Sequence, residues 1–160
     1  LTDYEGNLLG VLRALAESPL PVVLALHPRT RARLTQLAQT PGAGLGAVHF
    51  VDPLGYFDAV AATRSAHAVV TDSGGVQREA YWLGVPCITL RSETEWVETV
   101  GCGANVLIAP PAALQALAPA IQRSLSAPRE WDRTAYGRGD AATAIARATS
   151  NHAFAMPGTR

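Results

Sequence analysis

The run Val69-Val70-Thr71-Asp72-Ser73-Gly74-Gly75-Val76-Gln77-Arg78-Glu79 holds the residues of this chain whose types and spacing could do chemistry. It reads as a short buried strand, a tight Ser-Gly-Gly turn and a helix start. Gly74 and Gly75 carry no side chains to screen their amides, and the first N–H groups of a helix have no partner within it. An anion fits there through hydrogen bonds and through the helix dipole. Glu79 stands four residues past Gly75, about one helical turn further on. Its carboxylate would lean back over the turn and could accept hydrogen bonds from a sugar diol. The arrangement suits a nucleotide, with phosphate on the glycines and ribose on the acid. The same residues can also be a plain turn, with Asp72 and Ser73 capping the helix and no ligand involved.

Elements of a matching kind surround this run. Residues 5–17 place Leu8, Leu9, Val11, Leu12 and Leu15 at helical spacing, closed by Ser18-Pro19. Pro21 to Leu26 is a continuous apolar run, as in a parallel strand covered on both faces. His27-Pro28-Arg29-Thr30 follows at its carboxyl end, and Arg29 to Gln39 reads as a helix with Leu34, Leu37 and Ala38 inward. Residues 40–46 form a Pro/Gly-rich loop, Ala47 to Val51 a second strand, and Tyr56 to Thr63 a helix. After the central run, Gly84-Val85-Pro86 stops the helix, with Trp82 and Leu83 expected in the core. Cys87 to Leu90 is a buried strand, Glu95 to Val100 a short helix and Ala104 to Ile108 a last strand. Ala112 to Leu125 is an Ala/Leu-rich helix whose middle Pro119 should weaken, and Asp140 to Thr149 is a final helix. Residues 150–160 show no periodicity and are expected to be a flexible tail. Strands alternating with helices imply an α/β fold with a mainly parallel sheet.

In such a sheet, ligands bind at the carboxyl ends of the strands. That edge nominates three more residues. His27 could contact substrate or only order its turn. Tyr56 could meet the base, or pack its helix onto the sheet with its ring. Arg91, following the strand at 87–90, could pair with phosphate or with a local acid, Glu93, Glu95 or Glu98. Of Arg29, Arg31 and Arg33, Arg29 is nearest the turn; the three otherwise read as a solvated face.

Composition narrows the function. At 160 residues with 48% apolar content, the chain suits one domain with a real core. Thirteen basic and 13 acidic residues cancel, so no basic excess recruits nucleic acid. Every cation is arginine, which rules out a Schiff-base or P-loop lysine within the chain. Cys87 and Cys102 have neither metal nor redox spacing, and two isolated thiols suit a reducing cytoplasm. No signal peptide is visible, and no apolar run approaches the roughly 20 residues of a membrane span. Ser73 lacks the Gly-x-Ser-x-Gly setting of a hydrolase nucleophile.

The run from Thr71 to Cys87, its continuation to Arg91, and Glu93-Thr94-Glu95-Trp96-Val97-Glu98 together resemble the non-hydrolysing UDP-N-acetylglucosamine 2-epimerases. So do His27-Pro28-Arg29-Thr30, Asp52-Pro53-Leu54-Gly55-Tyr56 and Tyr136-Gly137-Arg138-Gly139-Asp140, which extend the likeness over nearly the whole chain. The resemblance implies the C-terminal half of a two-domain, GT-B-type architecture: residues 1–149 as a Rossmann-like, three-layer, UDP-binding domain truncated at its N-terminus. It implies that Ser73, Gly74 and Gly75 hold the diphosphate and that Glu79 holds the ribose. Trp96 stands where the family often has an arginine, leaving Arg91 as the nearest cation. The family's His-Arg-x-Glu-Asn segment and the catalytic residues of its N-terminal domain are expected upstream of Leu1. The domain's first, central strand would lie there too, so the five remaining strands are expected to form a split or open sheet. A fragment, a broken reading frame or a missing companion segment would each account for that. The implied reaction is interconversion of UDP-GlcNAc and UDP-ManNAc for cell-surface polysaccharide precursors, in the cytoplasm, with no cofactor or metal. The partners to expect are a UDP-sugar, an N-terminal domain and a second copy in a homodimer, with no nucleic acid and no membrane. The isolated chain is expected to bind UDP weakly and not to epimerise. The nucleotide half of a UDP-sugar glycosyltransferase and a non-catalytic UDP-binding remnant remain as alternatives.

Overall fold

The computed structural model describes residues 5–37, 48–110, 114–127 and 129–153. The expected loop at 40–46, the inward placement of Leu37 and Ala38, and the stretch 154–160 lie outside what is described. The elements follow in order: α1 (Glu5–Ala16), β1 (Val22–Ala25), α2 (Pro28–Leu37), β2 (Val48–Val51), α3 (Tyr56–Ser65), β3 (Val69–Thr71) and α4 (Gly74–Leu83). Next come β4 (Cys87–Thr89), α5 (Val97–Gly101), β5 (Asn105–Leu107), a 3-10 turn (Leu114–Ala116), α6 (Leu117–Ser126) and α7 (Ala141–Ala153).

All the paired strands run parallel, in two sheets: β1 beside β2, and β3-β4-β5 with β4 in the middle. The expected split of the five strands is therefore present. Within β4 the side chains alternate between two environments, as the pleat requires. Ile88 joins the apolar core with Val11, Ala14 and Leu15 of α1 and Leu117, Ala120 and Ile121 of α6. Thr89 points the other way, where its hydroxyl donates to Asn105 Oδ1 (2.8 Å) and Asn105 Nδ2 donates to Gln77 Oε1 of α4 (3.2 Å). Helices thus cover both faces of the three-stranded sheet. The same core takes in Val48 of β2 and, at its border, Val22 and Leu24 of β1 and Val70 of β3, so it joins the two sheets.

Four expectations need correcting. The run at β1 is not covered on both faces: its burial alternates and Val23 is 63% exposed. Among the described strands only β4, with a strand on each side, is buried throughout. Pro119 does not interrupt a helix; the regular α-helix begins at Leu117, so the proline falls in its first turn, where no amide partner is needed. Trp82 is 41% exposed and is not a core residue, whereas its neighbour Tyr81 is buried. The final helix runs to Ala153, past its expected end at Thr149, as no proline or glycine interrupts residues 141–153.

Candidate functional site

The centre of the site is the junction of β3 and α4. Ser73 is the N-cap of α4 in an extended conformation, and its side chain makes no capping hydrogen bond. Its own amide is taken by Thr71 Oγ1 at 3.1 Å, which tightens the exit from the strand. Gly74 and Gly75 open the helix, and the first bond back to the cap is from Gln77 N to Ser73 O (3.3 Å). Glu79 lies one turn below Gly75 on the same helix face and is half-buried. Its side chain makes no hydrogen bond or ion pair within the described residues. At the far end, Gly84 closes α4 in the left-handed conformation (φ +74°), with Val85 N bonding Ala80 O.

Arg91 follows β4 at the same carboxyl edge of the sheet. It takes the local partner foreseen for it: Arg91 Nη1 donates to Glu95 Oε2 at 3.0 Å. Glu95 in turn lies over the start of α4. Gly74 has no Cβ, and one built there would overlap Glu95 Oε1 and come within 3.6 Å of Trp96 Nε1. The loop is pinned in this position because Thr94 Oγ1 donates to Gln77 Oε1 (2.6 Å) and accepts from Trp96 N (3.1 Å). The buried set Gln77, Thr89, Thr99 and Asn105 therefore acts as a polar rivet joining sheet, helix and loop. Nothing in the periodicity of the sequence pairs these four residues, which lie up to 28 positions apart.

The remaining candidates sit elsewhere. His27 is exposed in the turn after β1, where its carbonyl accepts from Arg31 N (3.0 Å). Tyr56 begins α3 and is 67% exposed, edge-on to Phe57, so its ring does not anchor the helix on the sheet. Both stand at carboxyl ends in the β1–β2 sheet, while the glycine turn and Arg91 share that edge of the other sheet. Arg31 pairs with Asp52 across the first of these edges. The side chain of Arg29 lies outside the described residues.

A second cluster flanks α4. The Arg78 guanidinium lies 5.0 Å from the Trp82 ring and 4.6 Å from the Trp96 ring, so the two indoles hold a cation against the helix. Tyr136 meets Tyr81, Trp82 and Trp96 edge-on and donates its hydroxyl to Glu98 Oε2 at 2.7 Å. That hydroxyl's donation holds the Glu98 carboxyl below the usual carboxylate range, while burial and the Glu98 bond push the Tyr136 phenol up. Burial also pushes the Cys87 thiol up to about 11, which makes it an unreactive core residue. Among the described residues, no group of three or more His, Cys, Asp or Glu could hold a metal. No described helix is long and apolar enough to cross a membrane.

These features can be set beside known proteins. The family model described as UDP-N-acetylglucosamine 2-epimerase matches residues 2–150. The chain is 42% identical over 148 residues to the UDP-2,3-diacetamido-2,3-dideoxy-D-glucuronate 2-epimerase of Pseudomonas aeruginosa, covering 91% of this chain and 40% of that protein. It is 35% identical over 127 residues to the UDP-N-acetylglucosamine 2-epimerase of Methanocaldococcus jannaschii, covering 79% of this chain and 34% of that one. The solved structure of the M. jannaschii enzyme superposes with a TM-score of 0.81 at 31% identity, over 94% of this chain and 42% of its own. The same enzyme in complex with UDP-GlcNAc and UDP superposes with a TM-score of 0.78. The chain thus spans about two fifths of the length of these relatives. From the match over residues 2–150, the parallel α/β architecture of one GT-B half and the glycine turn at the sheet edge, the chain belongs to the UDP-N-acetylglucosamine 2-epimerase family.

Proposed function

We propose that this chain is the UDP-holding part of a 2-epimerase acting on UDP-sugars with a 2-acetamido group. The observation that carries the reading is the uncapped start of α4: Gly74 and Gly75 present amides at a helix N-terminus behind the extended N-cap Ser73, with Glu79 one turn along the same face. In this reading the diphosphate sits on the glycine turn, Glu79 takes the ribose hydroxyls and Arg91 supplies counter-charge. Tyr56 and His27 border the base and sugar. The relative from M. jannaschii, solved with UDP-GlcNAc and UDP, supports the ligand class.

The chemistry follows from the leaving group. A base removes the C2 proton, the electron pair forms the C1–C2 double bond, and the C1–O bond breaks to release UDP. Reprotonation of C2 on the opposite face and return of the UDP oxygen to C1 give the epimer. The negative charge gained by UDP on departure is what amides fixed at positions 74 and 75 would stabilise, an effect commonly worth several kcal/mol. The proton-transfer groups, by this reading, come from a second domain, and the active assembly is a homodimer in the cytoplasm. The two free cysteines accord with that compartment.

The substrates to compare are UDP-GlcNAc and UDP-2,3-diacetamido-2,3-dideoxy-D-glucuronate, the second because of the P. aeruginosa relative. Proton NMR in deuterated water checks the mechanism: an epimerase places deuterium at C2 and releases the 2-epimer. Sugar transfer to an added acceptor would instead identify a glycosyltransferase. UDP binding with neither product, when the second domain is supplied, would identify a non-catalytic binder.

A further inference from the structure

The start of α4 is crowded on one side by a carboxylate from the chain itself, where Gly74 would carry a Cβ. Glu95 Oε1 fills the space that a side chain on Gly74 would take, and Glu95 Oε2 is held by Arg91 at 3.0 Å. An acid at a helix N-terminus is favoured by the dipole, as a phosphate is. Beside it, Trp96 Nε1 is buried and has no hydrogen-bond partner, 3.6 Å from the same point above Gly74. A buried N–H without an acceptor is uncommon and calls for an explanation. Here a carboxylate, an arginine and an idle indole donor converge on one helix end.

Resting on the nucleotide reading above, we propose that Glu95 is an internal competitor for the phosphate position and sets the affinity of the site for anions. A phosphate entering over Gly74 must displace Glu95. That release frees Arg91 from its carboxylate partner and leaves Arg91 and the Trp96 N–H facing the ligand. One group thus holds the seat in the empty protein and hands its cation over when the ligand arrives. The Arg91–Glu95 pair is partly exposed, with side chains 36% and 49% accessible, so its hold is modest and reversible. Thr94, bonded to Gln77, keeps the loop anchored while the Glu95 side chain swings.

The test compares wild type with Glu95→Gln and Glu95→Ala by isothermal titration with UDP, inorganic pyrophosphate and uridine. Thermal unfolding confirms that each variant is folded. Removing the competing charge should tighten UDP and pyrophosphate about fivefold and leave uridine unchanged, the size expected from an exposed ion pair plus a helix-end charge. Adding Arg91→Ala to Glu95→Gln should then weaken UDP about tenfold, since the freed arginine bonds the phosphate directly. Equal or weaker UDP binding by both folded Glu95 variants overturns the proposal, as does an equal gain for uridine. If neither wild type nor the variants bind UDP, the nucleotide reading itself fails and takes this inference with it. If UDP binds all of them alike, only the competition fails.

Discussion

Gly74 has two roles that pull in opposite directions, and one substitution separates them. As the first residue of α4 it is a poor helix former, though outside the helix interior where that cost is fullest, so alanine there should stabilise the helix by no more than about 0.5 kcal/mol. As the floor of the anion position it has no room for a methyl group, because Glu95 already stands against it. The far end of a glutamate can move aside, so Gly74→Ala should fold with a melting temperature equal to or above wild type. A phosphate that needs the same space cannot give way and keep its bonds, so UDP affinity should fall at least tenfold. Calorimetry alongside circular dichroism measures both. Unchanged UDP affinity would mean that the ligand does not approach Gly74. The glycines and Glu79 could be singled out in the sequence because their chemistry is local: a turn, two bare amides and an acid one turn on. Glu95 could not be placed over Gly74 by the same means. It lies 21 positions away in the sequence, and only the fold of the loop after β4 brings the two together.

At the scale of elements, α4 is held at its middle and at its far end. The Gln77–Asn105 bond ties it to β5, and Gly84 ends it with a left-handed cap that Gly84-Val85-Pro86 announced. The segment from Arg129 to Tyr136 straps its far end: Trp131 Nε1 donates to Tyr81 O (3.1 Å), and the Tyr81 hydroxyl donates to Asp132 O. The strap finishes with Tyr136 bonded to Glu98 at the start of α5. Glu98 and Asp132 are both held below the usual carboxylate range, Glu98 by the Tyr136 hydroxyl and Asp132 by the Thr134 side chain and amide. A depressed folded-state value means that the contribution is complete above the ordinary carboxylate range and is lost as pH falls through the folded value. Tyr136→Phe removes the donor to Glu98, so its melting temperature should lie below wild type near neutral pH. The two should converge once acidification protonates Glu98 in the folded protein. A constant offset across the range would show that the ring packing, and not the bond to Glu98, is what the phenol contributes. This strap was hard to read in sequence because residues 129–136 have no periodicity and make their bonds through main-chain carbonyls and aromatic edges. Trp82 misled for a related reason. Its spacing is that of a core residue, yet its ring serves as a face for Arg78.

The molecule as a whole poses a question that strand count alone leaves open: whether two separate parallel sheets behave as one folding unit. The alternation of strands and helices gave the α/β class, and the resemblance gave the split. Neither could say what bridges it. The bridge is α1 with α6. Their side chains meet Val48 of the two-stranded sheet and Ile88 of the three-stranded one in a single apolar cluster, with Val22, Leu24 and Val70 at its edge. Leu117, the first residue of α6, is wholly buried in that cluster. Truncating it to alanine should cost about 2–5 kcal/mol, the usual range for a leucine removed from a packed core. If the cluster couples the sheets, the loss must appear in both. Amide hydrogen exchange in Leu117→Ala should therefore show protection falling by a similar factor, about a hundredfold for a 3 kcal/mol loss, in β1–β2 and in β3–β5. Loss confined to one sheet would mean that each folds on its own and that α6 belongs to only one. The distinction bears on the site, because His27 and Tyr56 stand on one sheet while the glycine turn and Arg91 stand on the other. A nucleotide that touched all of them would be held by residues whose relative positions depend on this shared core. Leu117→Ala would then weaken UDP binding at temperatures where the chain is still folded, without touching the ligand.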